Sequence, residues 1–291
     1  MTPITTPPSA AASGTFRLGD LTIHRLAFGA MRLTGAGIWG EPRNHGAAIA
    51  VLRRALELGI DFIDTADSYG PEVSERLIAE ALHPYPQGLV IATKGGLLRP
   101  GPDRWTPKGT REHLRAACEG SLRRLKLERI DLYQLHRIDP AVPFEDQLGT
   151  LVQLRDEGKI RHIGLSEVGV AEIERARRIV PIVSLQNRYN LVERQYEGVL
   201  AYCEREGLGF IPWFPLVAGS LAKRGSPLAR AAERLKATPA QVALAWLLAR
   251  SPVMLPIPGT SSVEHLEENT AAGLLRLEPD EVEELDALGA K

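Results

Sequence analysis

The sequence has little cysteine. Cys118 and Cys203 are its only two, and they match neither a disulfide framework nor a metal-ligand spacing. They read as small core or helix residues of a reduced, cytoplasmic protein. An excess of charge of either sign is lacking too. The formal net charge is -1 and no basic run occurs, which argues against nucleic acid or an anionic membrane surface as the main partner. No apolar run is long enough to span a bilayer, and the opening MTPITTPPSAAASGT has neither the basic start nor the apolar core of a signal peptide. No His/Asp/Glu cluster has ligand spacing, so no metal is expected.

What is present is ordinary globular composition: 291 residues, 44% hydrophobic and 24% charged. Residues 1–14, rich in Pro, Ala, Ser and Thr, read as a flexible extension. No linker or composition break divides residues 15–291, which read as one domain. "TFRLGDLTIHRL" alternates around Gly19-Asp20 and predicts a short N-terminal hairpin. Eight strand candidates follow, at Leu26–Ala30, Phe62–Asp64, Leu89–Thr93, Asp131–Leu135, His162–Leu165, Ile182–Leu185, Gly209–Pro212 and Met254–Ile257. Between them lie segments of helical spacing. "AAIAVLRRALELG", for example, puts Ile49, Leu52 and Leu56 on one face and stops at Gly59. Alternating strands and helices imply parallel pairing through right-handed crossovers, and apolar runs such as "LVIAT" suit strands buried on both faces. Eight such units predict an α/β fold, a (β/α)8 TIM barrel with extra C-terminal helices. An open doubly wound sheet is the second choice.

One motif favours that second choice. Gly35-Ala36-Gly37-Ile38-Trp39-Gly40 reads G-x-G-x-x-G after a candidate strand, with Asp61 about twenty residues on, the spacing of a dinucleotide-binding unit. Such a unit needs a helix that starts at the motif and offers its terminal amides to a pyrophosphate. Here Pro42 and its polar neighbours delay any helix to Asn44 or His45, and Trp39 is a bulky occupant for that place. The run reads instead as a mobile loop after the first strand, carrying Trp39 toward the catalytic mouth.

The chemistry-bearing residues lie at strand exits. "DFIDTADSYG" ends the second strand at Asp64 and brings Tyr69 five residues later; "LVIATKGG" puts Lys94 at the third exit, and "IDLYQLHRID" puts His136 at the fourth. In a parallel barrel all these ends open onto one face. Taken singly, Asp64 could cap a helix, Tyr69 could be a half-buried loop aromatic, Lys94 a solvated exit and His136 a satisfied core histidine. Together they make a proton-donating set. A phenol near its ordinary pKa of about 10 is a weak acid at neutral pH, and the Lys94 ammonium is expected to lower it. Asp64 would orient Lys94, and His136 would bond the substrate oxygen. None of the four supplies a hydride, so the set implies a nicotinamide cofactor.

These segments, with "EGKIRHIGLSE", "QNRYN", "IPWFPLVAG" and "LPIPGTSSVEHLEEN", resemble the motifs of the aldo-keto reductase family over nearly the whole chain from about residue 15. The resemblance implies a barrel that binds NADP(H) extended across its C-terminal face, with NAD(H) the weaker alternative. It makes Asp64, Tyr69, Lys94 and His136 the catalytic tetrad, with Tyr69 the general acid. It implies nicotinamide contacts at Ser166 and Gln186 and a stacking ring at Trp213, where the family usually has tyrosine. Pro215, Leu216, Gly219 and Ser220 follow the pyrophosphate side. Gly259, Thr260, Ser261, His265, Glu268 and Asn269 match the adenosine end, and Gly29, Ala30 and Met31 the approach from the first strand. Trp39, Trp105 and Phe214, beside Tyr69 and His136, are expected to wall the substrate pocket.

The chain also departs from the family. Glu167 stands where many members have asparagine, and Gly259 and His265 stand where animal members read lysine and arginine around the 2′-phosphate. Hydroxyls at Thr260, Ser261 and Ser262, with Lys223 or Arg224, are the substitutes. "GLSEVGVAEIERAR" looks like a bacterial subgroup that includes pyridoxal reductases, which makes pyridoxal a candidate substrate. The partner expected is thus a small carbonyl or alcohol, and the assembly a monomer or small homo-oligomer. A nicotinamide-sensing regulatory protein, like the potassium-channel β subunits of the same fold, is the alternative. The intact tetrad argues against it. A metal-dependent lyase or hydrolase lacks ligands.

Overall fold

The computed structural model describes residues 8–216 and 225–289. The segment that leads in, 8–14, departs from the loose extension its composition suggests. Ala10 is fully buried and its N–H donates to Leu58 O at 2.8 Å, while Ser13 Oγ accepts from Leu26 N–H at 2.9 Å. Small residues let this stretch lie flat against the body. The predicted hairpin follows as β1 (Thr15–Leu18) and β2 (Leu21–His24), antiparallel. Its Leu18 and Ile23 are fully buried with Phe62, Val90, Leu132 and Ile211 from the inner faces of barrel strands, so the hairpin plugs the barrel floor.

Seven parallel strands follow in one sheet: β3 (Phe28–Gly29), β4 (Phe62–Asp64), β5 (Val90–Gly95), β8 (Ile130–Leu135), β9 (Ile160–Ser166), β10 (Ile182–Arg188) and β11 (Gly209–Trp213), each beside the last in that order. The segment 253–257 closes the ring as the eighth stave. Phe210 N–H donates to Val253 O and Leu255 N–H to Phe210 O on one side, and Ala27 N–H donates to Pro256 O on the other. Its ladder is broken because Pro252, Pro256 and Pro258 have no N–H to give. The architecture is therefore the (β/α)8 barrel, and the doubly wound sheet is set aside.

Helices α1 (His45–Glu57), α2 (Val73–Leu82), α3 (Arg111–Leu125), α4 (Phe144–Asp156), α5 (Val170–Arg177) and α6 (Glu197–Glu206) surround it. Their starts are written locally. Asn44 accepts from Ala47 N–H at 3.0 Å to open α1, and Thr110 accepts from His113 N–H to open α3. Toward the C-terminus come helices at Pro227–Leu235, Pro239–Arg250, Val263–Ala271 and Pro279–Asp286. Leu52 of α1 and Leu148 of α4 are fully buried between helices and sheet, where truncation to alanine would cost about 2–5 kcal/mol. The sequence pattern does not announce one feature at the C-terminal face: β6 (Leu97–Gly101) and β7 (Arg104–Pro107) form an antiparallel hairpin directly after β5.

Candidate active site

Strand β4 ends on Asp64, β5 carries Lys94 near its end, and His136 follows the last residue of β8. Tyr69 reaches the same place from the loop after β4. Lys94 Nζ donates to Asp64 Oδ2 at 2.6 Å, to Thr65 O at 2.8 Å and to the Tyr69 hydroxyl at 3.3 Å. An ammonium has three protons, and all three are used. The other Asp64 oxygen accepts from Gln134 Nε2 at 3.1 Å and Gln186 Nε2 at 2.8 Å. Side chains from four barrel strands thus meet on one carboxylate, and the Lys94–Asp64 pair is only 0% and 2% exposed.

Burial sets the protonation states. Burial alone would pull the Lys94 ammonium down, but Asp64 and Tyr69 outweigh it and hold the group above its ordinary value. The expected lowering of Tyr69 is not what results. Burial pushes the phenol up further than the Lys94 charge pulls it down, so it keeps its proton. Burial, then the charges of Lys94, Arg137 and Arg99, hold His136 well below the ordinary histidine value, so it is neutral. Ser68 Oγ lies 3.3 Å from His136 Nδ1. A serine proton donated there leaves the ring N–H on Nε2. The Tyr69 and His136 rings meet edge to face, centroids 5.9 Å apart.

Asp64, Tyr69 and His136 line a cleft of about 1080 Å³, while Lys94 is buried behind them. One end is walled by Trp105, Leu97, Pro107 and Phe214, with Trp105 6.3 Å from Tyr69 and 6.2 Å from His136 between ring centroids. Elsewhere the lining includes Ser166, Gln186, Trp213, Pro215 and Leu216, then Gly29, Met31, Gly259, Thr260 and Ser261, and the loop residues Gly35, Ala36, Gly37 and Ile38. Several expected contacts are off this wall. Ala30 is fully buried and offers its carbonyl to Ser74 Oγ, while Asn269 is buried, Glu268 half-buried and His265 exposed. Trp39 is half-buried and packs toward Arg99 rather than facing the cleft. Gly219, Ser220, Lys223 and Arg224 lie outside the described residues.

The structure adds residues that the sequence pattern leaves unmarked. Arg137 lines the cleft and donates through Nη1 to Ser166 Oγ at 2.9 Å. Arg32 lies on the wall beside Gly259 and Ser261. Arg99, on β6, donates to Ile38 O, Ser68 O and Gly37 O at 2.7–2.9 Å, and its guanidinium lies 3.6 Å from the Trp105 ring centre. It ties the Gly35–Gly40 loop, the hairpin and the Tyr69 loop together. No group of three or more His, Cys, Asp or Glu that could hold a metal occurs among the described residues, and no described helix is long and apolar enough to cross a membrane.

Residues 25–290 match the model of the Aldo/keto reductase family. An uncharacterized oxidoreductase of Schizosaccharomyces pombe is 54% identical over 280 residues, which is 96% of this chain and 91% of that protein. Pyridoxine 4-dehydrogenase of Escherichia coli is 42% identical over 283 residues, covering 95% of this chain and 99% of that one. Among solved structures, an aldo-keto reductase from Klebsiella pneumoniae in complex with NADPH has a TM-score of 0.80 at 27% identity, with 94% of each chain covered.

Proposed function

The chain belongs to the aldo/keto reductase family, and from that premise we propose that it reduces small aldehydes and ketones to alcohols with NADPH, reversibly, with Tyr69 as the general acid. The observation that carries this reading is the threefold use of Lys94 Nζ by Asp64, Thr65 and Tyr69. It sets a protonated phenol against a buried cation at the floor of an open cleft.

The cleft residues fit a nicotinamide nucleotide. A carboxamide needs one donor for its oxygen and one acceptor for its NH2. Ser166 Oγ already accepts from Arg137, which leaves its own proton to give; Gln186 uses its NH2 on Asp64, which leaves its carbonyl oxygen to accept. At the far end Thr260, Ser261 and Arg32 line the wall, and the helix Val263–Ala271 begins there, with Ser262 as its cap. Hydroxyls, a guanidinium and the positive end of a helix suit a 2′-phosphate, which supports NADP(H) over NAD(H).

When bound, the dinucleotide supplies a hydride to the carbonyl carbon. The protein's part is positional and electrostatic. Neutral His136 offers an N–H to the carbonyl oxygen, and Tyr69 donates its phenolic proton there as alkoxide character develops. Lys94 stabilises the phenolate that forms, and Asp64, fixed by Gln134 and Gln186, keeps Lys94 charged and aimed. Trp105, Leu97, Pro107 and Phe214 exclude water from the acceptor side. Their aromatic, apolar character and the 42% identity to a pyridoxine 4-dehydrogenase support pyridoxal or a similar small aromatic aldehyde as substrate.

Tyr69→Phe tests the mechanism: reduction is expected to fall by about 10²–10⁴ while NADPH still binds, and near-full turnover would sink it. An aldehyde panel read by NADPH absorbance tests the substrate class. Fluorescence titration should show NADPH binding more tightly than NADH, and equal affinities would overturn the cofactor preference.

A further inference from the structure

Glu167 is held at φ +56°, a backbone region that a glutamate rarely takes. Both oxygens of its carboxylate accept there. Oε1 accepts from Trp213 Nε1 at 2.6 Å and from Arg188 N–H at 2.7 Å, and Oε2 accepts from Tyr196 OH at 3.2 Å. The Arg188 guanidinium lies 5.3 Å from the Trp213 ring centre, and its own charge is paired with Glu193 at 2.8 Å. The indole of Trp213 is therefore gripped at its N–H edge and backed by a cation on one face, while the residue lines the cleft. An indole N–H can only donate, so a tryptophan here needs an acceptor that a tyrosine would not. Residues 167 and 213, which leave two different barrel strands, are thus bonded side chain to side chain.

We propose that Glu167 is a positioning residue that locks the Trp213 indole as the bed for the nicotinamide ring. It acts through Trp213 and not by touching the cofactor, for the cleft is lined by Ser166 and Trp213 but not by Glu167. A ring that must be found in one orientation binds its partner more weakly when it is free to turn. The inference rests on the nicotinamide reading of the cleft, and its test separates the two.

Calorimetric titrations with NADPH and with 2′,5′-ADP, which carries the phosphorylated adenosine but no nicotinamide, are made on the wild-type chain, Glu167→Ala, Glu167→Gln, Trp213→Phe and the double variant Glu167→Ala/Trp213→Phe. Glu167→Ala is expected to weaken NADPH about five- to tenfold, the scale of one ordinary net hydrogen bond, and to leave 2′,5′-ADP unchanged. Glu167→Gln keeps an acceptor oxygen and should bind NADPH within about twofold of wild type. In the Trp213→Phe background no N–H remains to be held, so Glu167→Ala should add nothing. A merely structural role predicts additive losses there and an equal loss for both ligands; either result overturns the proposal, as does an undiminished NADPH affinity in Glu167→Ala. A wild-type chain that binds 2′,5′-ADP but gains nothing from the nicotinamide half removes the bed itself. A wild-type chain that binds neither ligand refutes the functional reading, and the proposal falls with it.

Discussion

Replacing Lys94 with methionine removes one charge and keeps an unbranched apolar stem of similar length. The loss falls on Asp64, whose Oδ2 accepted from Lys94 Nζ at 2.6 Å and which is 2% exposed. Two glutamine N–H groups still reach Oδ1, but no cation remains beside the carboxylate. Stranding one partner of a buried pair costs about 3–5 kcal/mol. At roughly 2–4 °C per kcal/mol for a large domain, the melting temperature should fall by about 6–20 °C. Asp64→Asn in the same chain removes the stranded charge. The double variant Asp64→Asn/Lys94→Met should therefore melt several degrees above Lys94→Met, the thermal equivalent of recovering about 1–3 kcal/mol of the stranding cost. Thermal melts followed by near-ultraviolet circular dichroism on wild type, both single variants and the double give the cycle. Carbonyl reduction, assayed in parallel, should drop about 10²-fold or more in all three variants. A Lys94→Met chain melting within two degrees or so of wild type, or a double variant no more stable than Lys94→Met, would refute the picture of a tightly coupled buried pair.

The pH dependence follows from the same burial. Tyr69 is shifted above its ordinary value and His136 well below its own, so the phenol stays protonated and the imidazole neutral between the two. The kcat/KM of reduction should be flat from about pH 6 to pH 9, and a limb assigned to either group inside that window contradicts the assignment. Stability carries the matching sign: below about pH 6.5 the unfolded chain takes a proton on His136 that the folded one refuses, so this group destabilises the fold progressively as pH falls. Arg99→Met unties the carbonyls of Gly37, Ile38 and Ser68 and bares the Trp105 face. The KM for the carbonyl substrate should rise several-fold with NADPH affinity unchanged, and proteolysis between Gly35 and Gly40 should quicken; a variant with neither change would show that the loop holds itself.

The tetrad was legible because a parallel strand turns polar where it leaves the barrel core, and that rule needs only the order of apolar runs. Asp64, Lys94 and His136 each end or follow such a run, and in the structure they meet. The eighth stave was legible as an apolar segment, but Pro252, Pro256 and Pro258 thin its ladder. The hairpin Leu97–Pro107 is harder. Its strands are short, half-exposed and carry Arg99, Pro100, Arg104 and Pro107. Pro100-Gly101-Pro102-Asp103 was the available turn signal, and Asp103 does take a positive φ of 50°. Gln134 and Gln186 lie inside strands that read as apolar, and nothing local says that both point at one carboxylate. Arg99 and Arg137 act on groups far along the chain, and composition cannot report such meetings. Residues 8–14 show the same limit: a Pro/Ala/Ser-rich stretch looks loose until a groove of the right width is known.

The glycine run at 35–40 is tied to its surroundings through both its amides and its carbonyls. An anion site presents unpaired N–H groups. In this loop the Gly35 N–H donates to Gly40 O, the Trp39 N–H to Gly35 O and the Gly40 N–H to Gly70 O. Two of its carbonyls are also used: Gly37 O and Ile38 O accept from the Arg99 guanidinium, and the same two oxygens take the N–H groups of Asp103 and Gly70. The loop thus seats the Arg99 cation on two of its carbonyls, and its glycines serve the turn, Gly37 at φ +68° and Gly40 at φ +70°. In the reading proposed above, a dinucleotide in the cleft would find its complementary charge at Arg32, at the hydroxyls of Thr260 and Ser261 and at the start of the helix Val263–Ala271. On that reading the residues that match the fingerprint and the residues proposed to do its work lie on different strands' loops, as fits a barrel that binds its ligand across the ends of many strands rather than at the first crossover.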